Sequence, residues 1–306
     1  MRFEEEVPEA LAGERVDRVV SMLTGCSRAE AAALVAAGEV LVDGEPVTTR
    51  STRLPLGALV EVEAPDPDAV PELAPEPGVP VPVVHEDEDL LVVDKPAGLV
   101  VHPGAGQRTG TLVHGLLARY PEISAVGVDP TRPGIVHRLD KGTSGLLLVA
   151  RTQRAYTALV SALAAREVHR RYRTLVWDHV QAPSGLIDAP IGRSLREPTR
   201  MAVVERGKEA RTRYEVLATY SDPVALTELA CTLETGRTHQ IRVHLRSIGH
   251  PVVGDVRYDG ARQSLPFDRP FLHAEALQLD HPVTGEHLQL TSPLPQDLTD
   301  LLARLR

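Results

Sequence analysis

A chain of 306 residues, 42% of them hydrophobic, can bury a full core and still leave room for a small second domain. Its two cysteines, Cys26 and Cys231, lie far apart and match no paired metal-ligand spacing; this argues against a disulfide scaffold or a zinc cluster and fits a reducing compartment. The N-terminus, MRFEEEVPEALAG, is acidic where a signal peptide is basic, and no apolar run approaches the roughly 20 residues that cross a bilayer, so a cytoplasmic protein with no membrane partner is expected.

The formal net charge of -9 runs against nucleic-acid binding, because phosphate contacts draw on lysine and arginine. Its distribution is more informative. Between Glu61 and Asp94 there are eleven acidic residues and no Lys or Arg, whereas between Arg166 and Arg213 eleven bases face six acids. That second stretch could meet phosphates, and charge counting explains it equally well as a solvated surface.

In chain order, RVDRVVSML and SRAEAAALVAAG carry apolar residues at helical spacing, with Ser27 placed to cap the second helix. VLVDGEPV then alternates around Asp43-Gly44, a favoured hairpin turn, and LVEVEA supplies a further strand. These elements define a first domain over 1–64. Residues 65–82 hold Pro65, Pro67, Pro71, Pro75, Pro77, Pro80 and Pro82 and read as an interdomain linker. From 83 to 306, LLVVDKP, GLLLVAR, YRTLVWD, RTRYEVLATY and ALTELACTLE predict strands, and GTLVHGLLARYP and TQRAYTALVSALAAR predict helices. The order lacks regular strand–helix alternation, so an α+β fold with a mixed sheet is expected.

The segment RPGIVHRLDKGTSGLLLVAR, residues 132–151, wedges charged and small residues between apolar runs, so its centre is a loop. Asp140 then sits at the mouth of a buried strand beside Arg138 and Lys141, cations that favour an ionised, nucleophilic carboxylate. On this segment alone, a structural ion pair at a strand end explains the residues as well as catalysis does. HPGAGQRTGT is glycine-rich but lacks the lysine and spacing of a phosphate loop. His239, His244 and His250 invite a metal reading; a five-residue step, however, sets His239 and His244 about 140° apart on a helix and on opposite faces of a strand. No metal and no cofactor are expected.

HRLD followed by TSG resembles the signature of the RluA-type pseudouridine synthases. The likeness continues in order through DKPAGLVVHPG, GTLVHGLL, APIGR with a later Arg200-Met201, TGRTHQIRVHL, GHPVVGD, FLHA and HPVTGE, covering residues 91–286. The first domain resembles an S4 RNA-binding domain, and the pairing is similar to the RluD-like branch that acts on large-subunit ribosomal RNA. The resemblance implies a pseudouridine synthase-like catalytic domain with a mixed, largely antiparallel sheet, an RNA partner and a monomer that needs no cofactor.

Carried over by position, Asp140 matches the catalytic aspartate and Arg138 the arginine that fills the gap left by the extruded base. Tyr172 matches the tyrosine that stacks on the uracil, and Arg242 the basic residue paired with the aspartate; of the neighbouring Arg237 and Arg242, either could be the surface one. His137, Leu139, Arg237, His239 and Ile241, which flank these motifs, are expected to contact substrate. Leu139, Leu146 and Ile241 are expected to keep the pocket dry, since water at a cleaved glycosidic centre gives hydrolysis. Two rival readings are an inactive RNA-binding factor, against which the intact Asp140, Tyr172 and Arg242 argue, and a glycoside hydrolase. The hydrolase normally needs a second carboxylate, absent near Asp140 in sequence.

Overall fold

The computed structural model describes residues 2–64, 73–104, 107–197 and 199–306. Internal contacts divide the chain into two units between positions 71 and 72. Among the described residues no single helix is long and apolar enough to cross a membrane.

The first unit is built from β1 (Arg2–Glu6), α1 (Val16–Thr24), α2 (Arg28–Ala36), β2 (Val40–Val42), β3 (Glu45–Pro46) and β4 (Leu59–Glu63). Its antiparallel sheet runs β1-β4-β2-β3. Both expected helices form. Val16, Val19 and Val20 of α1 and Ala31 and Val35 of α2 share one core with Val40, Val60 and Val62 of the sheet. Ser27 caps α2 in a reciprocal box: Glu30 N donates to Ser27 Oγ at 3.3 Å and Ser27 N to the Glu30 carboxylate at 2.9 Å. Asp43 and Gly44, at φ 53° and 81°, close the β2–β3 hairpin as their left-handed preference requires. β1 carries no alternating pattern because it is an edge strand that needs only backbone pairing to β4, and its glutamates remain in solvent.

The second unit contains β5 (Val83–Glu86), β6 (Leu90–Lys95), α3 (Leu112–Arg119), β7 (Ser144–Ala150), α4 (Gln153–Ala165), β8 (His169–Trp177), β9 (Ser184–Asp188), β10 (Ile191–Arg193), β11 (Met201–Val203), β12 (Arg211–Tyr220), β13 (Leu226–Leu233), α5 (Gln240–Ser247), β14 (Leu272–Asp280), β15 (His287–Thr291) and α6 (Gln296–Leu302). Nine of these strands form one sheet in the order β5-β6-β7-β14-β8-β13-β12-β9, with β15 beside β14; β10 and β11 make a separate ribbon. Only β7–β14 pairs in parallel, so the sheet is mixed and largely antiparallel.

β7 is buried on both faces, which explains its unbroken apolar run. Leu147 and Val149 enter the core that includes α3, while Leu146, Leu148 and Ala150 enter the core that includes Ala155 and Leu159 of α4. At the start of β7, Gly145 has φ 109°, and a Cβ there would lie 2.3 Å from Ala274 O and 2.6 Å from Ala274 N. Only glycine lets β14 approach closely enough to pair, and this fixes the sheet directly after the Asp140 loop.

The stretch expected to be a linker behaves differently in its described half. Residues 73–82 are held on the second unit: the Glu76 carboxylate accepts from Gly110 N at 2.9 and 3.1 Å, and Glu76 N donates to His114 O at 3.0 Å. Gly115 of α3 leaves room for Val79 and Val81, which a Cβ would meet at 2.8–3.0 Å. The prolines remove donors, but the valines between them still supply apolar surface that packs. Residues 65–72 lie outside the described residues.

Candidate active site

The Asp140 loop runs from Ile135, which bridges to Val149, to the start of β7. Thr143 N donates to Asp140 O at 3.0 Å, and Gly98 N donates to Lys141 O at 2.7 Å, tying the loop to the turn that follows β6. On the other side α5 opens at His239, whose φ of 57° turns the chain so that the first helical turn presents Arg242. Arg242 Nη1 donates to Asp140 Oδ2 at 2.9 Å, a separation of 102 positions in sequence. Its remaining edge is bidentate to Asp255, Nε to Oδ2 at 2.6 Å and Nη2 to Oδ1 at 2.9 Å. The Asp255 side chain is fully buried and also accepts from Arg257 N and Tyr258 N, while the Arg242 guanidinium lies 5.0 Å from the Tyr258 ring centroid. Burial alone would lower the Arg242 pKa. The hydrogen bond and charge of Asp255 and those of Asp140 outweigh it and raise it. Arg242 is thus a fixed cation.

Asp140 is not sealed in: its side chain keeps 17% exposure and lies where two clefts of about 500 Å³ meet. The first is lined by His137, Arg138, Asp140, Arg170, Tyr172 and Arg237, among others. The second shares Arg138 and Asp140 and adds Leu139, Lys141, His239, Arg242 and Arg257. Tyr172 is 4% exposed on β8; burial raises its pKa, and the charge of Asp140 adds to this against the opposing charge of Arg170, so it is a neutral phenol. His239 Nε2 is 3.9 Å from Asp140 Oδ1, and its Nδ1 is 2.7 Å from Tyr258 Oη; burial holds this imidazole neutral despite the carboxylate.

The sequence-predicted residues fall into distinct positions. Asp140, Arg138, His137, Tyr172 and Arg237 share one cleft, and Arg242, His239 and Leu139 join Arg138 and Asp140 in the other. His137 Nε2 accepts from Leu148 N at 2.9 Å, so this ring also braces β7, and burial with the neighbouring Arg170 brings its pKa down to about 3. Arg237 is the exposed arginine of its pair, with Nε on Glu209 O at 2.9 Å. Ile241 lies not on a cleft wall but in the apolar core with Leu139 and Tyr172. Leu146 does not close the site: strand alternation sends it to the opposite face of the sheet, with α4. The three histidines considered as metal ligands diverge. His244 bonds Thr212 Oγ1 and Ala189 O, and His250 bonds Trp177 O.

Sequence reasoning missed Asp255, Tyr258, Arg170 and Lys95. Lys95 ends β6 fully buried, with Nζ donating to Pro96 O and Leu99 O at 2.8 Å each. Burial pushes its pKa down to about 7, against the pull of the Asp140 charge. Asp255 lies in GHPVVGD and Lys95 in DKPAGL, both segments already singled out, but neither spacing reveals which side chain turns inward.

Comparison with known proteins places the chain in a family. The model of the RNA pseudouridylate synthase family matches residues 89–247, and that of the S4 domain matches residues 14–60. The chain is 44% identical to the ribosomal large subunit pseudouridine synthase D of Xanthomonas campestris, over 98% of this chain and 91% of that protein. It is also 44% identical to the synthase D of Pseudomonas aeruginosa, over 98% and 95%. An uncharacterized RNA pseudouridine synthase of Bacillus subtilis is 43% identical over 97% and 96%. Among solved structures, human RNA pseudouridylate synthase domain containing 1 aligns with a TM-score of 0.59 at 30% identity, covering 75% of this chain and 90% of that one. An Asp140 loop, a nine-stranded mixed sheet and an S4 domain thus occur together in a chain that belongs to the RNA pseudouridine synthase family.

Proposed function

We propose that the protein isomerises uridines of large-subunit ribosomal RNA to pseudouridine in the cytoplasm, as a monomer, with Asp140 as its catalytic carboxylate. One observation carries the reading: an accessible carboxylate in an open cleft, 2.9 Å from an arginine that a second, buried carboxylate holds in place. The reaction breaks the bond between uracil N1 and the ribose anomeric carbon and remakes it through carbon 5, with no redox change. A base inside folded RNA hides both positions, so the nucleotide is extruded at a cost of a few kcal/mol. Arg138, exposed at the junction of the two clefts, fills the gap that the base leaves. Tyr172 stacks on the extruded uracil, and Asp140 acts at the ribose, as nucleophile at carbon 1 or as base at carbon 2. Arg242 holds Asp140 in place and aims it. The S4 domain adds contacts to the RNA outside the catalytic unit.

The large-subunit substrate is supported by the two synthase D relatives, each covered over more than nine-tenths of its length. The test is to incubate the purified full-length protein with large-subunit ribosomal RNA transcripts and score both pseudouridine and free uracil. Pseudouridine without released uracil is expected. Released uracil would make the protein a hydrolase, and neither product would leave an RNA-binding factor.

A further inference from the structure

Between Arg166 and Arg213, most of the basic side chains on the sheet are neutralised by carboxylates. On the strands Arg171 meets Glu275 at 2.8 Å, Arg211 meets Asp188 at 2.9 Å and Arg213 meets Glu234 at 2.6 Å, and Arg173 pairs with Glu228; Arg166, at the end of α4, meets Glu209 at 2.7 Å. Arg170 departs from this pattern. It is only 6% exposed, yet its guanidinium makes no hydrogen bond and no ion pair among the described residues, and its Nε is wholly buried without a partner. It lines the Asp140 cleft together with Tyr172 and His137, beneath Gly236, where a Cβ would come within 3.0 Å of Arg170 Nη1. Strand alternation puts Arg170 and Tyr172 on one face of β8, while His169 before them and Arg171 between them point out. Their Cα atoms are therefore about 6.6 Å apart. A buried cation with no counter-charge costs several kcal/mol, and the sheet around it shows how readily a carboxylate could have been supplied.

We infer that Arg170 receives the negative charge of the uracil base once its bond to the ribose has broken. The inference rests on the pseudouridine synthase reading above. Whether Asp140 attacks carbon 1 or removes a proton from carbon 2, the electron pair of the C1′–N1 bond leaves with the base and spreads over N1, O2 and O4. The guanidinium N–H groups donate to a carbonyl oxygen of that anion. When carbon 5 bonds to the anomeric carbon, the bond from Asp140 to carbon 1 breaks in the first route, or Asp140 returns the proton to carbon 2 in the second; the carbon 5 proton is then lost, N1 gains one, and the net change is an isomerisation. The charge belongs to the base and not to a phosphodiester because of depth: phosphates follow the surface, and the part of the nucleotide that reaches a side chain buried beside Tyr172 is the ring. A preorganised donor aimed at charge that exists only after bond cleavage is the arrangement that accelerates a reaction without tightening substrate binding. Neighbouring His137, held neutral, does not compete for the anion.

The test compares full-length wild type, Arg170→Met and Arg170→Lys in single-turnover reactions on RNA carrying either uridine or 5-fluorouridine at the target, with RNA affinity measured at several salt concentrations. Arg170→Met is expected to lower the rate of glycosidic cleavage on uridine about 100-fold with RNA affinity essentially unchanged. The defect is expected to shrink on 5-fluorouridine, whose ring already stabilises its own anion. Arg170→Lys restores part of the rate with the same contrast between substrates, and it decides the matter if Arg170→Met does not fold. An equal defect on both substrates overturns the inference. So does a defect confined to affinity with a weaker salt dependence, which would give Arg170 to a phosphate. If wild type forms no pseudouridine, the functional reading fails; if it does and Arg170→Met matches it, this inference alone fails.

Discussion

Arg242 is held from both sides, and the two sides differ in kind. Asp140 is partly open to the cleft, whereas Asp255 is buried and spends its oxygens on Arg242 and the backbone of the following turn. Removing one partner from such a buried pair typically costs about 3–5 kcal/mol, because the other charge remains without compensation. Asp255→Asn is therefore expected to lower stability by ~3 kcal/mol in urea unfolding and to slow single-turnover conversion while RNA affinity holds. Unchanged stability and rate would mean that Asp255 does not anchor the site. Lys95 is fixed differently, by two backbone carbonyls, and the charge of Asp140 opposes the lowering of its pKa by burial.

At the scale of elements, legibility followed patterning. RTRYEVLATY became β12 over its full length, and the apolar runs in LLVVDKP and GLLLVAR became β6 and β7, because each pattern matches the faces that the element buries. α5 was hidden for the opposite reason. In QIRVHLRS the buried positions include Gln240, Arg242 and His244, polar side chains turned inward to hold the site and its flanking strands, so the segment reads as a charged stretch. β1 was missed because an edge strand needs no apolar face, and the packed end of the proline-rich segment because prolines suggest a spacer wherever they cluster. Asp140 was legible as a loop carboxylate, but its partner was not. A contact across 102 positions leaves no local trace, and the choice of Arg242 over Arg237 rested on resemblance.

For the whole molecule, the net charge of -9 says little about where RNA could bind, since Arg171, Arg173, Arg211 and Arg213 of the basic stretch are paired with carboxylates on the sheet, whereas seven lysines and arginines among the described residues line the two clefts at Asp140. Acid sensitivity is a global consequence of how the histidines are buried. His102, His137, His239, His244 and His273 all titrate below the usual imidazole value of 6.5, chiefly because burial disfavours the charged ring, and His137 is pushed down to about 3. As the pH falls below 6.5 the unfolded chain takes up protons that the folded chain refuses, so stability is complete above that value and declines below it. His137 alone should account for on the order of 1–2 kcal/mol lost by pH 5. Urea midpoints at pH 7 and pH 5 check this, and equal midpoints would contradict it.

The central claim is that the Asp140 carboxyl group, aimed by Arg242, meets the sugar of an extruded nucleotide. Its most direct test is pseudouridine formation by Asp140→Asn under single-turnover conditions with saturating large-subunit RNA, alongside the binding constant of the same variant. The account predicts no detectable conversion with RNA affinity retained. Conversion at a rate near wild type would contradict it.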